Sequence, residues 1–465
     1  MKNLPFSRIA QIVGEANVLT SSDELYCYSY DASRLRAVPD CVVFPGSVEE
    51  VAQLLRLANL DRFPVFPRGA GSGMVGGALP FGGGVAMVLT RLKKILEVDP
   101  DNMLAVVEPG VVTGVLQSRV LADGLFYPPD PASLHFSTIG GNVAMCSGGP
   151  RAVKYGVTRD YVLGLEVVLP TGAVIRTGAR TVKSVVGYDL TRLMVGSEGT
   201  LGVFTKIILR LIAAPESVRT LTALFPDLDG AARAVSSIAR NRILPSTLEL
   251  LDSACLRVVE DYLGAGAPTN AEALLLIEVD GKERFLDGEA EQIERICSEC
   301  GASKIETAAS PGDRERLWSA RRAISAALGK IKPDKINEDV TVPRTRIPDL
   351  VRFIHALAES SGLTIVCFGH AGDGNIHTNI MVNRGDREEM KRAEYAAGEL
   401  FREVLRLGGT LSGEHGIGVA KSPFFKWEVG EEEFAAMVRI KEALDPLNIL
   451  NPGKMFVSNR AFFDS

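Results

Sequence analysis

The chain has 465 residues, 46% hydrophobic and 23% charged, an ordinary globular composition but too long for one core, so two or three domains are expected. A formal net charge of -6 leaves no basic footprint for nucleic acid. No apolar run is long enough to cross a bilayer, and the stretch from Met1 to Arg8 lacks the apolar core of a signal peptide, so a cytoplasmic protein is expected.

In chain order, Val42–Phe44 reads as a strand, followed by a helix that Ser47 and Glu50 cap and that Val51, Leu54, Leu55 and Ala58 stripe with apolar side chains. The next strand, Phe63–Phe66, runs into Pro67-Arg-Gly-Ala-Gly-Ser-Gly-Met-Val-Gly-Gly77, a loop able to present several N–H groups to a phosphate. It is neither a Walker A loop nor a dinucleotide-binding fingerprint of the Rossmann kind. A second glycine-rich tract, Ser137–Gly149, would let backbone pack against a flat ring or a diphosphate. A hairpin is expected at Leu163–Leu169 and Val174–Arg176, and a last strand at Val203–Leu211 after Gly196-Ser-Glu-Gly-Thr-Leu-Gly202.

Pro67-Arg-Gly-x-Gly-Ser-Gly73, Thr138-Ile-Gly-Gly-Asn142 and Gly196–Val203 resemble, in order and spacing, the flavin-binding motifs of the vanillyl-alcohol-oxidase/p-cresol-methylhydroxylase family. The resemblance implies an α+β FAD-binding domain of two subdomains over residues 1–215, with the diphosphate on the first glycine loop. It places Arg68, Gly69, Ala70, Gly71, Ser72, Gly73, Pro109, Pro129, Ser133, Thr138, Gly141, Asn142, Ala144, Glu198 and Val203 against the cofactor. The first glycine loop offers no histidine or cysteine for a covalent tether, so the FAD is expected to be non-covalent.

Beyond a boundary at Ile212–Glu216, strands at Leu221–Phe225, Ser246–Leu251 and Ala273–Val279 alternate with helices at Leu228–Ile238, Ser253–Leu263 and Arg284–Cys300. This alternation suggests a ferredoxin-like cap domain, residues 216–420. Seven scattered cysteines fit a reducing compartment; Cys297 and Cys300 form a CxxC on a helical pattern, and no second CxxC accompanies it, so neither a redox pair nor an iron–sulfur cluster is expected. Arg321 and Ser325 share a helix face, and Lys335 follows; the three could clamp a carboxylate or simply form a solvated basic helix end.

Three of the five histidines fall in two glycine-walled stretches. The apolar run Leu363–Phe368 reads as a strand that opens into a loop, Gly369–Asn379, able to fold back so that His370 and His377 converge. Ser412–Gly418 then sets Glu414 beside His415. Two imidazoles and a carboxylate suit a divalent metal with open positions, zinc first and manganese or iron as alternatives; unrelated loop histidines are the bland reading.

Here the resemblance extends along the whole chain and narrows to the group of glycolate oxidase flavoprotein subunits, D-lactate dehydrogenases and D-2-hydroxyglutarate dehydrogenases. It implies Arg321, Ser325, Lys335 and Asn379 as substrate ligands, His370, His377 and Glu414 as metal ligands, and His415 as base. Ser325 stands where the 2-hydroxyglutarate enzymes carry threonine. The end of the chain, 421–465, is expected to return to the FAD domain with Asn451 near the flavin ring; His135 and His355 match no motif. The expected activity is metal-assisted oxidation of a small D-2-hydroxy acid, glycolate or D-lactate, by hydride transfer to FAD. Electrons would pass to a partner: an iron–sulfur subunit, electron-transferring flavoprotein, cytochrome or quinone, which could hold the protein at the inner face of a membrane. A D-2-hydroxyglutarate dehydrogenase, a flavin-free metallohydrolase, an ether-lipid synthase and a non-catalytic flavin-binding subunit are the alternatives.

Overall fold

The computed structural model describes residues 4–264 and 271–456. They form two compact units, one built from 4–148, 157–214 and 414–456, the other from 149–156, 215–264 and 271–413. Two boundaries differ from expectation. The first unit resumes at Glu414 rather than at 421, and Gly149–Gly156 belongs to the second unit. The latter has a clear cause: Asp280 draws the segment in, pairing with Lys154 Nζ at 2.5 Å and accepting from the Tyr155 hydroxyl at 2.9 Å.

In the first unit, Cys41–Val43 and Val65–Arg68 flank Val85–Val88 in parallel, with Val18–Leu19 added antiparallel at one edge. The helix Val48–Asp61 makes the crossover between the flanking strands, and Ser47 Oγ caps it by accepting from Glu50 N at 3.2 Å. Its apolar stripe, Val51, Leu54, Leu55 and Ala58, is fully buried against this sheet. A second, antiparallel sheet runs in the order Ile95–Asp99, Leu104–Val107, Val203–Arg210, Val162–Val168, Val174–Gly178. The expected hairpin is its edge, and the expected last strand lies at its centre. After the helix Phe425–Leu444 the chain comes back to the first sheet, where Ile449 and Leu450 join the core and Asn451 N donates to Val65 O.

The second unit is one antiparallel sheet of seven strands, ordered Lys304–Thr307, Ser217–Phe225, Ala273–Gly281, Thr247–Asp252, Thr364–His370, Asn375–Val382, Asp334–Thr341. The first four have the ferredoxin-like order, fourth, first, third, second in sequence. Three further strands extend that sheet past Thr247–Asp252, and they carry the histidines. Cys297 is buried in the helix Glu283–Glu299, as its periodicity suggests, and Cys300 ends it. His355 Nε2 donates to Asp252 Oδ2 at 3.0 Å, and Asp252 itself caps a helix by accepting from Cys255 N, so His355 completes a buried helix cap.

Candidate active site

Within the first unit a cleft opens along both glycine tracts. Arg68 to Gly73, Pro109, Ser133, Thr138, Gly141, Asn142, Ala144, Glu198 and Val203 line it, as do Glu414 and His415. Two glycines are dictated by close approach. A Cβ on Gly69 would collide with Thr138 Oγ1, and one on Gly140 would come within 2.5 Å of Pro109 Cβ. The first tract therefore packs against Thr138, and the second against Pro109, only because these positions carry no Cβ.

Arg68 is buried, donates to Tyr30 O at 2.8 Å and lies 5.8 Å from the Tyr28 ring centroid. Its Nη1 is buried with no hydrogen-bond partner among the described residues, so an anionic oxygen in the cleft is what would satisfy it. This orphaned donor and the glycine lining fit a diphosphate. Two further residues use their side chains otherwise. Asn142 Nδ2 donates to Thr113 Oγ1 at 2.8 Å, and the Glu198 carboxylate accepts from Ile417 N and Gly418 N, each at 2.7 Å. Burial pushes the Glu198 carboxyl up to about 6 against those two amides, and burial brings Lys454 down to about 7.

Pro129 and Asn451 do not line the cleft. The Pro129 carbonyl accepts from Gln117, while Asn451 Nδ2 ties Gly77 O to Glu198 O at 3.0 and 2.7 Å. Met145, Ser147 and Phe204 line it without having been expected; only their neighbourhood to the motifs could have marked them. Glu414 rests on Gly148, where a Cβ would meet Glu414 Oε2 at 2.9 Å, and the His415 ring lies 4.0 Å from Glu414 Oε1.

In the second unit the histidines stand on strands, not in a loop. His370 ends one arm of a hairpin, His377 sits in the other, and only Ala371–Gly374 turns. Gly374 makes the turn possible at φ +91°, where a Cβ would also strike Val342 O. Register then fixes the faces: Phe368 is opposite His377, Glu249 opposite His370, and Asn337 opposite Asn379. Directly paired residues share a face, so Glu249, His370, Phe368, His377, Asn379, Asn337 and Lys335 all point to one side of the sheet.

The polar side chains Glu249, His370, His377 and Asn379 on that face are buried. His370 Nε2 and His377 Nε2 approach to 3.3 Å, and His370 Nδ1 bonds Glu249, which is fully buried. In a neutral His370 that donates its Nδ1 proton to Glu249, the Nε2 lone pair would be left for a metal. Two nitrogens ~2.0–2.1 Å from one tetrahedral ion stand ~3.3 Å apart, so the pair has the spacing of two ligands. Burial works against charge on Glu249, but His370 and Arg321 outweigh it and hold the carboxyl well below the usual range.

Arg321 reaches this face from the helix Pro311–Leu328. Its Nε donates to Glu249 Oε2 at 2.5 Å, and its guanidinium lies 4.7 Å from the Phe368 ring centroid. Seven and three residues earlier on the same helix face, Arg314 and Trp318 both bond Glu278. Ser325 is one turn further and exposed; Lys335 is half-buried on the edge strand; Asn379 is buried and accepts from Asn337 Nδ2 at 2.7 Å. Glu249 was missed from sequence, although an acid within the apolar strand Thr247-Leu-Glu-Leu-Leu251 demands a buried partner.

The fold and the glycine-lined cleft suit a protein that takes a dinucleotide cofactor. Comparison with known proteins agrees. Residues 39–178 match the FAD binding domain, and residues 214–455 match the C-terminal domain of FAD linked oxidases. Glycolate oxidase subunit GlcD of Bacillus subtilis (strain 168) is 45% identical, over 97% of this chain and 96% of the relative. D-lactate dehydrogenase of Anaerostipes hadrus is 36% identical, over 95% and 93%. The solved structure of p-cresol methylhydroxylase with substrate bound has the same fold, with a TM-score of 0.81 over 97% of this chain and 96% of that one at 19% identity. The chain belongs to the FAD-linked oxidase family.

Proposed function

We propose that the protein oxidises a small D-2-hydroxy acid, glycolate or D-lactate, to the 2-oxo acid. The cleft residues would hold FAD, which would supply hydride-accepting chemistry toward C2 of the substrate. The names of the relatives support this substrate class, and one observation carries the site: two buried imidazole nitrogens 3.3 Å apart, one oriented by a buried carboxylate. A flavin-free hydrolase would leave the FAD binding domain without a purpose.

His370 and His377 would hold a divalent metal, zinc first, with Glu414 as the carboxylate ligand. Glu414 directly follows Gly413, whose amide donates to Asp339 O, and Asp339 is opposite His377 in the ladder. Such an ion would supply Lewis-acid chemistry that makes the substrate hydroxyl more acidic. His415 takes the hydroxyl proton as the C2–H pair leaves and the carbonyl forms, so that proton and hydride are both accounted for. Arg321 orients the substrate carboxylate through the guanidinium nitrogens that Glu249 does not use. Ser325, Lys335 and Asn379 complete the substrate pocket.

A partner removes the electrons, whether an iron–sulfur subunit, electron-transferring flavoprotein, cytochrome or quinone. No helix among the described residues is long and apolar enough to cross a membrane; a cytosolic protein, or one held at the inner membrane face by that partner, fits. Anaerobic mixing of the flavin-loaded protein with D-lactate, glycolate, D-2-hydroxyglutarate and L-lactate tests the reading. Bleaching of the flavin by the first two is expected. A flavin that none of the four acids bleaches would refute it, and preference for D-2-hydroxyglutarate would reassign the substrate.

A further inference from the structure

We infer that Glu198 is a positioning residue for His415, holding the turn that carries the base rather than serving the cofactor. This rests on the reading of His415 as the general base and deepens it.

Glu198 has a backbone fixed at both ends. Its N–H donates to Ala144 O at 2.8 Å, and its carbonyl accepts from Asn451 Nδ2 at 2.7 Å. It sits at φ +54°, a left-handed conformation uncommon for a residue with a side chain. Such strain is retained where something depends on it. What the conformation achieves is the aim of the carboxylate. One oxygen accepts from Ile417 N and the other from Gly418 N, so both are taken by backbone of the segment immediately after His415.

The turn is closed on its other sides as well. Val419 N donates to Val75 O at 2.8 Å, and Met455 N donates to Gly418 O at 2.8 Å. Gly416 and Gly418 have φ +85° and +52°, and a Cβ on Gly416 would lie 2.7 Å from Glu198 Oε1. The carboxylate thus packs directly on the peptide that follows His415. Charge-assisted bonds of this kind are shorter and stronger than neutral ones. Using a buried carboxylate where a neutral acceptor could satisfy one amide makes sense if the turn must not drift. A base misplaced by 1 Å loses rate steeply.

Glutamine at this position keeps the size but offers one acceptor, and its NH2 would face an N–H. The test uses the full chain with bound FAD, in four forms: wild type, E198Q, H415N and the double variant, with E198D carried through the same cycle as a second replacement. Flavin reduction by D-lactate is followed anaerobically and normalised to bound flavin. E198Q should retain flavin and reduce it roughly 10- to 100-fold more slowly, with the half-saturating D-lactate concentration changed less than about twofold. In the H415N background the same change should cost less than about twofold, because residues acting through one group are not additive. Fold losses that multiply, a wild-type rate in E198Q, or loss of flavin from both E198Q and E198D would each overturn the inference. H415N reducing at the wild-type rate would instead sink the base reading beneath it.

Discussion

The cleft of the first unit and the histidine face of the second are built by opposite means. The cleft is lined by backbone, with glycines whose Cβ positions are already filled by Thr138 or Pro109, and by a buried arginine with an idle donor. The sheet face is lined by side chains held through polar partners: Glu249 behind His370, Arg321 on Glu249, Asn337 on Asn379. A backbone site tolerates no added atoms, whereas a side-chain site tolerates no lost charges. Substitutions should therefore fail in different ways in the two regions.

The largest effect is expected at His415, which lines the cleft and is proposed as the base. His415→Asn should keep flavin and metal while flavin reduction slows by roughly 10²–10⁴; stopped-flow bleaching reads this, and loss of metal instead would make His415 a ligand. Next comes Arg321→Ala, which should lower kcat/KM by about 10²–10³ as the substrate carboxylate loses its partner. Steady-state kinetics with the acid and its ester separate the roles, since equal losses for both would contradict the clamp. Glu249→Gln removes the charge that orients His370, so metal affinity should fall about 10- to 100-fold with flavin content unchanged. Competition with a chromophoric chelator measures it, and unchanged affinity would mean that Glu249 serves stability alone.

The smallest effect is expected at Glu278, away from the chemistry. Burial raises its carboxyl pKa, but Arg314, Thr220 and Trp318 outweigh that and leave it below the ordinary range. A depressed folded pKa gives stability that is present above the unfolded value, about 4.3, and lost as pH falls below it. Glu278→Gln should lower the apparent Tm at pH 7 by roughly 2–4 °C per kcal/mol lost and flatten its fall below about pH 4. An unchanged acid limb in a thermal-melt series would show that other carboxylates dominate it.

The same contrast explains what could be read from the chain. The cleft's glycine tracts are local signals, and the helix Ser253–Leu263 is found at the bounds expected for it. The hairpin at 162–178 likewise follows from a turn and alternation. The histidines' convergence was legible too, but as a loop, because the glycines that permit a tight hairpin also look like loop residues. Partnerships across long separations were not legible. Glu249 meets His370 from 121 residues away, Glu198 meets Ile417 from 219, and Asp280 takes Lys154 into the second unit from 126. A lone acid in an apolar strand announces that a partner exists, but only the fold says which.

The claim that both regions serve one reaction is tested most directly by single-turnover flavin reduction before and after metal removal. The protein is treated with chelator and dialysed, its flavin absorbance checked, and D-lactate added without oxygen. The account predicts full flavin content, reduction slowed at least about a hundredfold, and recovery when zinc, manganese or iron(II) is returned. A stripped protein that bleaches its flavin at the original rate would contradict it.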